Sequence, residues 1–198
     1  VDTTGDGATD TDLAAGDDEA EAWSVMAMYD QGPFFASVAY ETFEGGIGDS
    51  GSTGNDEIDA WKIGLGYTFG NSKVGLVYED IEHDNNAAWG DSASRDAIWG
   101  SFSHKFGANT VHLAYGQADD SDVSGANDDD GADLWSIGLD HNFSKRTKVY
   151  AIYAHMDNDD DGNGYGLYAA DNFAGTSYGV AGNDDDVDGF SIGIVHQF

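Results

Sequence analysis

The sequence contains no cysteine and only one proline, Pro33, in 198 residues. Without cysteine, the chain has neither a disulfide framework nor a thiolate metal site. Because proline cannot donate a backbone hydrogen bond, its scarcity leaves long stretches free to enter a large sheet. No apolar run of about 18 residues occurs, and the sequence therefore predicts no membrane-spanning helix.

Basic residues are also scarce, since seven Lys and Arg stand against 38 Asp and Glu, a formal net charge of −31. Such a polyacid repels nucleic acid and anionic surfaces and attracts cations. Aromatic residues nevertheless make up 13% of the chain, which is too many for a disordered acidic segment. The composition therefore argues against a nucleic-acid-binding protein and favours a folded domain with acidic surfaces.

An internal repeat runs through the chain, in which Phe69, Phe106 and Phe143 follow one another at intervals of 37 residues and Phe198 ends a longer repeat. Two residues before each phenylalanine lies a ring with a polar atom: Tyr67, His104, His141 or His196. Eight residues before each lies a large apolar residue: Trp61, Ile98, Trp135 or Phe190. Even offsets place all of these side chains on one face of a strand.

Strict alternation of large apolar with small or polar residues, as in "WKIGLGYTF" and "FSIGIVHQF", predicts strands. Nine strands are predicted, at about 22–31, 33–44, 57–69, 72–83, 95–106, 109–118, 132–143, 146–156 and 187–198. Their connections alternate between tight turns without acids and long segments that, with their flanks, carry 34 of the 38 acids. This asymmetry is typical of an outer-membrane barrel.

We therefore predict one all-β domain, an antiparallel transmembrane β-barrel, over residues 1–198, with residues 1–21 as an acidic extracellular loop. Strands of this length suit a tilted crossing of a bilayer. Aromatic girdles flank the apolar band of such barrels. One predicted girdle contains Trp23, Trp61 and Trp135, and the other contains Phe106, Phe143 and Phe198.

The three recurring histidines raise the alternative of a zinc site. They lie on every second predicted strand, so neighbours would stand roughly 9–10 Å apart at about 4.8 Å per strand. Zinc requires nitrogens at about 2.0–2.1 Å. We therefore interpret the repeat as strand register and predict no metal site there.

Three segments resemble the Gram-negative general porins, which are trimeric barrels of about 16 strands. They are "WSVMAMYDQGPFFASVAYE", "LDHNFSKRTKVYAIYAHMDN" and the terminal "GFSIGIVHQF". The resemblance implies a homotrimer in the outer membrane of a Gram-negative bacterium, in contact with lipid and lipopolysaccharide. Porins of this type are about twice as long, which implies that this chain supplies the carboxy-terminal nine strands.

The alternation also predicts a Gly/Ser-rich inward face, small and polar, as a water-filled lumen requires. The predicted pore-lining cations are Lys62, Lys105, Arg146 and Lys148. A second interpretation stays open, in which basic residues beside tight turns only solubilise those turns. Lys62 lies at the opposite end of its strand and is the strongest pore-wall candidate.

The predicted function is passive diffusion of ions and small hydrophilic solutes through a channel with weak cation selectivity. An alternative is a barrel without a channel that acts as an adhesin, receptor or structural protein through its acidic loops. A soluble calcium-binding β protein is a third possibility, but it would have polar outer faces. No catalytic motif occurs, so no enzymatic activity is predicted.

No cofactor is predicted, apart from loosely bound Ca²⁺ or Mg²⁺ at the acidic loops. Asp157, Asp159 and Asp161, followed by Gly162, match the first half of a calcium-binding loop. The second half fails, because Tyr168 stands where a bidentate glutamate is required.

Overall fold

The computed structural model describes residues 21–44, 57–84, 92–123, 129–160, 167 and 186–198. Within these ranges the fold is all β, as predicted. The strands are β1 (Glu21–Gln31), β2 (Phe34–Glu44), β3 (Glu57–Phe69), β4 (Ser72–Asp84), β5 (Ser92–Phe106), β6 (Asn109–Ala118), β7 (Asp122–Val123), β8 (Ala132–Asn142), β9 (Thr147–Asn158) and β10 (Val187–His196). No helix in the described ranges is long and apolar enough to span a bilayer.

The strands form one antiparallel sheet in the order β1-β2-β3-β4-β5-β6-β8-β9-β10. These nine strands are the predicted ones, with ends that differ by a few residues. The short strand β7 was not predicted, and it pairs with the start of β5. Two residues are too few for an alternation pattern, so the sequence carries no signal for it.

Tight turns hold consecutive strands in register at one end of the sheet, which we call the turn end; the opposite end is the loop end. Gly32, Gly70 and Gly107 each adopt a positive φ, between 57° and 62°. Glycine adopts the left-handed conformation with little energetic cost, whereas other residues are strained in it. Three of the four tight turns therefore depend on glycine. The fourth turn lacks glycine and closes by a bond from Phe143 N to Thr147 O at 3.0 Å.

The sheet has two chemically distinct faces. Partners directly opposite in the register point to the same side, and residues alternate sides along each strand. One side, which we call the apolar face, carries mainly large apolar side chains, among them Val25, Val38, Ile63, Leu65, Leu76, Ile98, Leu113, Ile137, Leu139, Ile192 and Ile194. These side chains are exposed in the isolated chain. An apolar surface of this extent is stable only against another apolar phase.

A partly buried ion pair ties the connection between β6 and β8 to the sheet. Arg95 of β5 contacts the carboxylate of Asp130 at 2.5 Å. The same carboxylate accepts hydrogen bonds from the Ser121 amide and hydroxyl, at 2.6 and 2.7 Å. Burial alone would raise the pKa of Asp130, but these donors and Arg95 outweigh it, and the pKa is lowered. The connection is thereby held beside β5, where β7 pairs.

Residues 1–20 of the predicted acidic loop lie outside the described residues, and Glu21 already belongs to β1. The predicted calcium-loop residues Asp161, Gly162 and Tyr168 lie outside them as well.

Candidate functional site

The face opposite the apolar face, which we call the polar face, carries every lysine and arginine of the strands. They are Lys62, Lys73, Arg95, Lys105 and Lys148. Four acids share this face: Asp30, Glu41, Glu79 and Asp140. The other acids of the strands lie on the apolar face near the loop end. Charge is thus divided between the two sides of the sheet, and only the polar face combines both signs.

Lys62 lies on the polar face in the loop-end half of β3, where its ammonium group contacts the carboxylate of Glu79 on β4. The two residues are direct cross-strand partners. Lys62 is 57% exposed, whereas Glu79 is 26% exposed. The predicted pore-wall cation is therefore half of an ion pair, and its field is partly cancelled by its partner.

Lys148 also has an acidic partner, because its Nζ contacts Asp140 Oδ2 at 2.9 Å. His112 Nε2 approaches the same oxygen at 3.5 Å. Arg146 lies in the turn before β9, where its Nε donates a hydrogen bond to the Gln197 carbonyl at 2.7 Å.

Lys73 and Lys105 lie beside tight turns, near the turn ends of β4 and β5. Both side chains are exposed. Within the described ranges neither lysine takes part in an ion pair. Lys105 was predicted to line the pore, and the same alternation assigns Lys73 to the inward face.

One row of the polar face carries several large apolar side chains beside Ser37, Gly64 and Gly116, which differs from the small and polar wall expected from the sequence. Cross-strand pairing aligns Met28, Val77, Trp99, Leu134, Met156 and Val187 in this row. The Trp99 ring lies over Gly116, where an added Cβ would stand 1.9 Å from the ring. Trp99 is 42% exposed, so an indole ring projects from the face that carries the cations.

The predicted tryptophan girdle lies on the apolar face toward the loop end. The Tyr40 ring stands between Trp23 and Trp61, at centroid distances of 5.1 and 4.5 Å. Trp135 packs against Tyr153 and His155, at 5.3 and 5.7 Å. Four tyrosines of this region donate a hydrogen bond to an aspartate on the next long strand: Tyr40 to Asp59, Tyr78 to Asp96, Tyr115 to Asp133 and Tyr153 to Asp188.

The predicted phenylalanine girdle lies at the turn end, where Phe106, Phe143 and Phe198 are all exposed. Each has the histidine two residues before it as a neighbour, with ring centroids 4.8 to 6.2 Å apart. Each histidine also shares a hydrogen bond with the residue opposite it: His104 with Ser72, His141 with Asn109 and His196 with Thr147, at 2.7 to 2.8 Å. The repeated histidines thus fasten neighbouring strands together.

Among the described residues, one group of carboxylates comes close enough to share a cation: Asp120, Asp129 and Asp159, with one oxygen of each within 4.8 Å of the others. It combines Asp159 of the predicted calcium loop with two acids from the connection before β8. Burial raises the pKa of Asp159, and the neighbouring charges of Asp120 and Asp129 raise it further. These charges repel one another.

Comparison with known families gives a match over residues 1–161 to the family described as Gram-negative porin. An anion-selective porin from Comamonas acidovorans superposes with a TM-score of 0.71 and 24% identity, over 89% of this chain and 49% of that one. Outer-membrane expressed OmpT of Vibrio cholerae superposes with a TM-score of 0.65 and 19% identity, over 91% and 57%.

OmpT of Vibrio cholerae in its in-vitro folded, trimer form also superposes, with a TM-score of 0.65 and 18% identity, over 91% of this chain and 57% of that one. No curated protein matches the sequence. The chain spans about half the length of the solved structures that it matches.

Proposed function

The chain belongs to the Gram-negative porin family of the outer membrane, and from this premise we propose that it forms part of a water-filled channel. Ions and small hydrophilic solutes would pass through it by passive diffusion, without catalysis. The observation that carries the proposal is the division between the faces. An apolar face meets lipid, and the opposite face, with its charges and small residues, lines an aqueous lumen.

Lys62, Lys105, Arg146 and Lys148 are proposed as lumen-lining residues, together with Lys73 and Arg95 on the same face. Trp23, Trp61 and Trp135 would lie at the outer headgroup level, and Phe106, Phe143 and Phe198 at the inner one. The fields of Lys62 and Lys148 are reduced by Glu79 and Asp140. Lys62 and Arg95 of the loop-end half both have acidic partners, whereas Lys73 and Lys105 at the turn end take part in no ion pair among the described residues. The wall is therefore close to neutral toward the loop end and more positive toward the turn end.

We propose a weak cation preference at low salt, set by the long acidic segments at the loop end. Their field decays over a Debye length of about 8 Å at physiological ionic strength, so the preference shrinks as salt rises. The similar porin of Comamonas acidovorans is anion-selective. At 24% identity it shares the fold with this chain, so the proposal rests on the charges of this chain.

Outer-membrane lipid and lipopolysaccharide are the proposed partners of the apolar face and its rim. A homotrimer is proposed because OmpT of Vibrio cholerae, which has a similar fold, has been solved in a trimer form.

The test is ion conductance of the full-length protein in planar bilayers, with reversal potentials under a KCl gradient at low and high salt. Discrete conductance steps with a reversal potential that favours K⁺ on dilution are expected. A folded protein that never conducts would favour the alternative of an adhesin, receptor or structural barrel. An anion preference that strengthens on dilution would show that the wall cations dominate.

A further inference from the structure

The turn end of the polar face has an excess of positive charge between β4 and β9. Lys73, Lys105, Arg146 and Lys148 lie in or beside the tight turns. Among the described residues of these strands, the acid of the polar face at this level is Asp140, and Lys148 already contacts it. The remaining positive charge is therefore available to a mobile anion.

Lys73 and Lys105 are close enough to act on the same ligand. Lys73 pairs directly with Ser103, and Lys105 lies two residues further along β5 on the same face. Such diagonal neighbours have Cα atoms about 7–8 Å apart. Because a lysine side chain is long and flexible, both ammonium groups can reach one anion placed between them.

Hydrogen-bond donors surround this pair of lysines. The half-buried Ser103 hydroxyl lies beside Lys73, and the half-buried Thr110 hydroxyl lies opposite Lys105 on β6. His112 is the direct partner of Ser103. The His112 imidazole faces Asp140, which is the direct partner of Thr110. Two cations and two hydroxyls remain on one patch of the polar face. A tetrahedral oxyanion offers several acceptor oxygens to such a set, whereas chloride offers only a charge.

We propose that Lys73 and Lys105 form a binding site for oxyanions of the phosphate class at the turn end of the lumen. The hydroxyls of Ser103 and Thr110 are the further donors. The inference rests on the proposed channel function, because it requires the polar face to line the lumen. It gives the channel an axial polarity, with acidic segments at the loop end and an anion site at the turn end.

Inorganic phosphate is the probe, added to the turn side of the full-length protein in planar bilayers that carry a KCl current. Phosphate is expected to reduce the current in a saturable manner. Lys73→Gln or Lys105→Gln is expected to raise the half-blocking phosphate concentration about tenfold, since each removes a charged donor. Lys105→Arg keeps the charge and is expected to keep the block.

Lys145→Gln is the matched control, because it removes a lysine charge at the same end of the barrel, from the turn between β8 and β9. It is expected to leave the half-blocking concentration unchanged. A protein that conducts KCl without phosphate block, or with equal block in Lys73→Gln, Lys105→Gln and Lys145→Gln, overturns the anion site and leaves the channel function standing. A protein that conducts no ions overturns both.

Discussion

The hydroxyl of Tyr115 donates a hydrogen bond to the carboxylate of Asp133 on the neighbouring strand. Asp133 lies two residues before Trp135, which is the direct cross-strand partner of Tyr115. The same arrangement recurs around Tyr40, Tyr78 and Tyr153. In each of these pairs, the hydroxyl of a tyrosine is bonded to a carboxylate that lies nearer the loop end. The tyrosine ring itself suits the headgroup level of a membrane.

Replacing Tyr115 by Phe should lower the free energy of unfolding by about 0.5–1 kcal/mol, because one hydrogen bond is lost while the ring stays. Thermal unfolding in detergent measures the change. Tyr67→Phe is the control, since the Tyr67 hydroxyl has no hydrogen bond in the described part of the chain. Equal losses in the two variants would contradict a contribution from the Tyr115–Asp133 bond.

Charge changes at the Lys62–Glu79 pair should move ion selectivity in opposite directions. Lys62→Glu places two carboxylates on the wall and favours cations, whereas Glu79→Gln leaves the lysine unpaired and favours anions. A unit charge at about 4 Å in water is worth about 1 kcal/mol, so a several-fold change in permeability ratio is expected. Reversal potentials under a KCl gradient give the ratio. Identical values for both variants and the parent would place this pair outside the conduction path.

Removing the Trp99 ring should widen the path for ions, because the ring projects from the polar face over Gly116. Trp99→Ala is expected to raise single-channel conductance in KCl. Trp135→Ala is the control on the apolar face, where the loss of contacts with Tyr153 and His155 should lower thermal stability and leave conductance unchanged. The reverse pattern would exchange the lumen and lipid assignments of the two faces.

Acid should loosen the connection held by Asp130. The pKa of Asp130 is lower in the folded protein than in the unfolded chain. Its contribution to stability is therefore present above the unfolded-state pKa of about 3.9 and is lost as the pH falls through the folded-state pKa. Amide exchange of Asp122 and Val123 measures the opening of β7. At neutral pH, the Asp130→Asn variant should show the same loss of amide protection at Asp122 and Val123 that the parent protein shows in acid. Unchanged protection in the variant would argue against the ion pair as the fastening.

Neutralising Asp159 should stabilise the protein. The pKa of Asp159 is raised by burial and by the charges of Asp120 and Asp129. Its ionisation therefore lowers the stability of the fold as the pH rises through the unfolded-state pKa of about 3.9. Asp159→Asn should therefore raise the melting temperature at neutral pH, most at low salt. Asp160→Asn is a neighbouring control outside this group.

Millimolar Ca²⁺ or Mg²⁺ should raise the melting temperature of the parent protein by binding loosely among these acids. If NaCl of matched ionic strength reproduces the whole rise, screening alone accounts for it.

Much of the fold and part of the candidate site could be predicted from the sequence, because alternation and tight turns are local signals. The register of β3 and β4 follows from the two-residue turn at Gly70, so even the Lys62–Glu79 pairing was within reach. Trp99 lies two residues before Ser101 and therefore on the same side of the strand, so it could have been assigned to the polar face on that basis.

Contacts across the long connections could not be predicted in this way. Arg95 and Asp130 are 35 residues apart, and no periodic pattern links them. Asp120 and Asp129 belong to one connection and Asp159 to another. The alternation pattern of the strands does not determine how these two connections lie relative to each other. Sequence alternation assigns a residue to a face of its own strand, but it carries no information about loops.

The order of the sheet has a kinetic consequence. Apart from the short β7, which pairs with β5, the nine long strands of the described residues pair with the long strands next to them along the chain. Contacts across a tight turn therefore join residues that are close in sequence. Closing such turns costs little chain entropy, and local hairpins form in microseconds. The sheet can therefore grow by adding one hairpin to the edge of the last. The slow steps of assembly are left to the joining of hairpins across the long acidic connections.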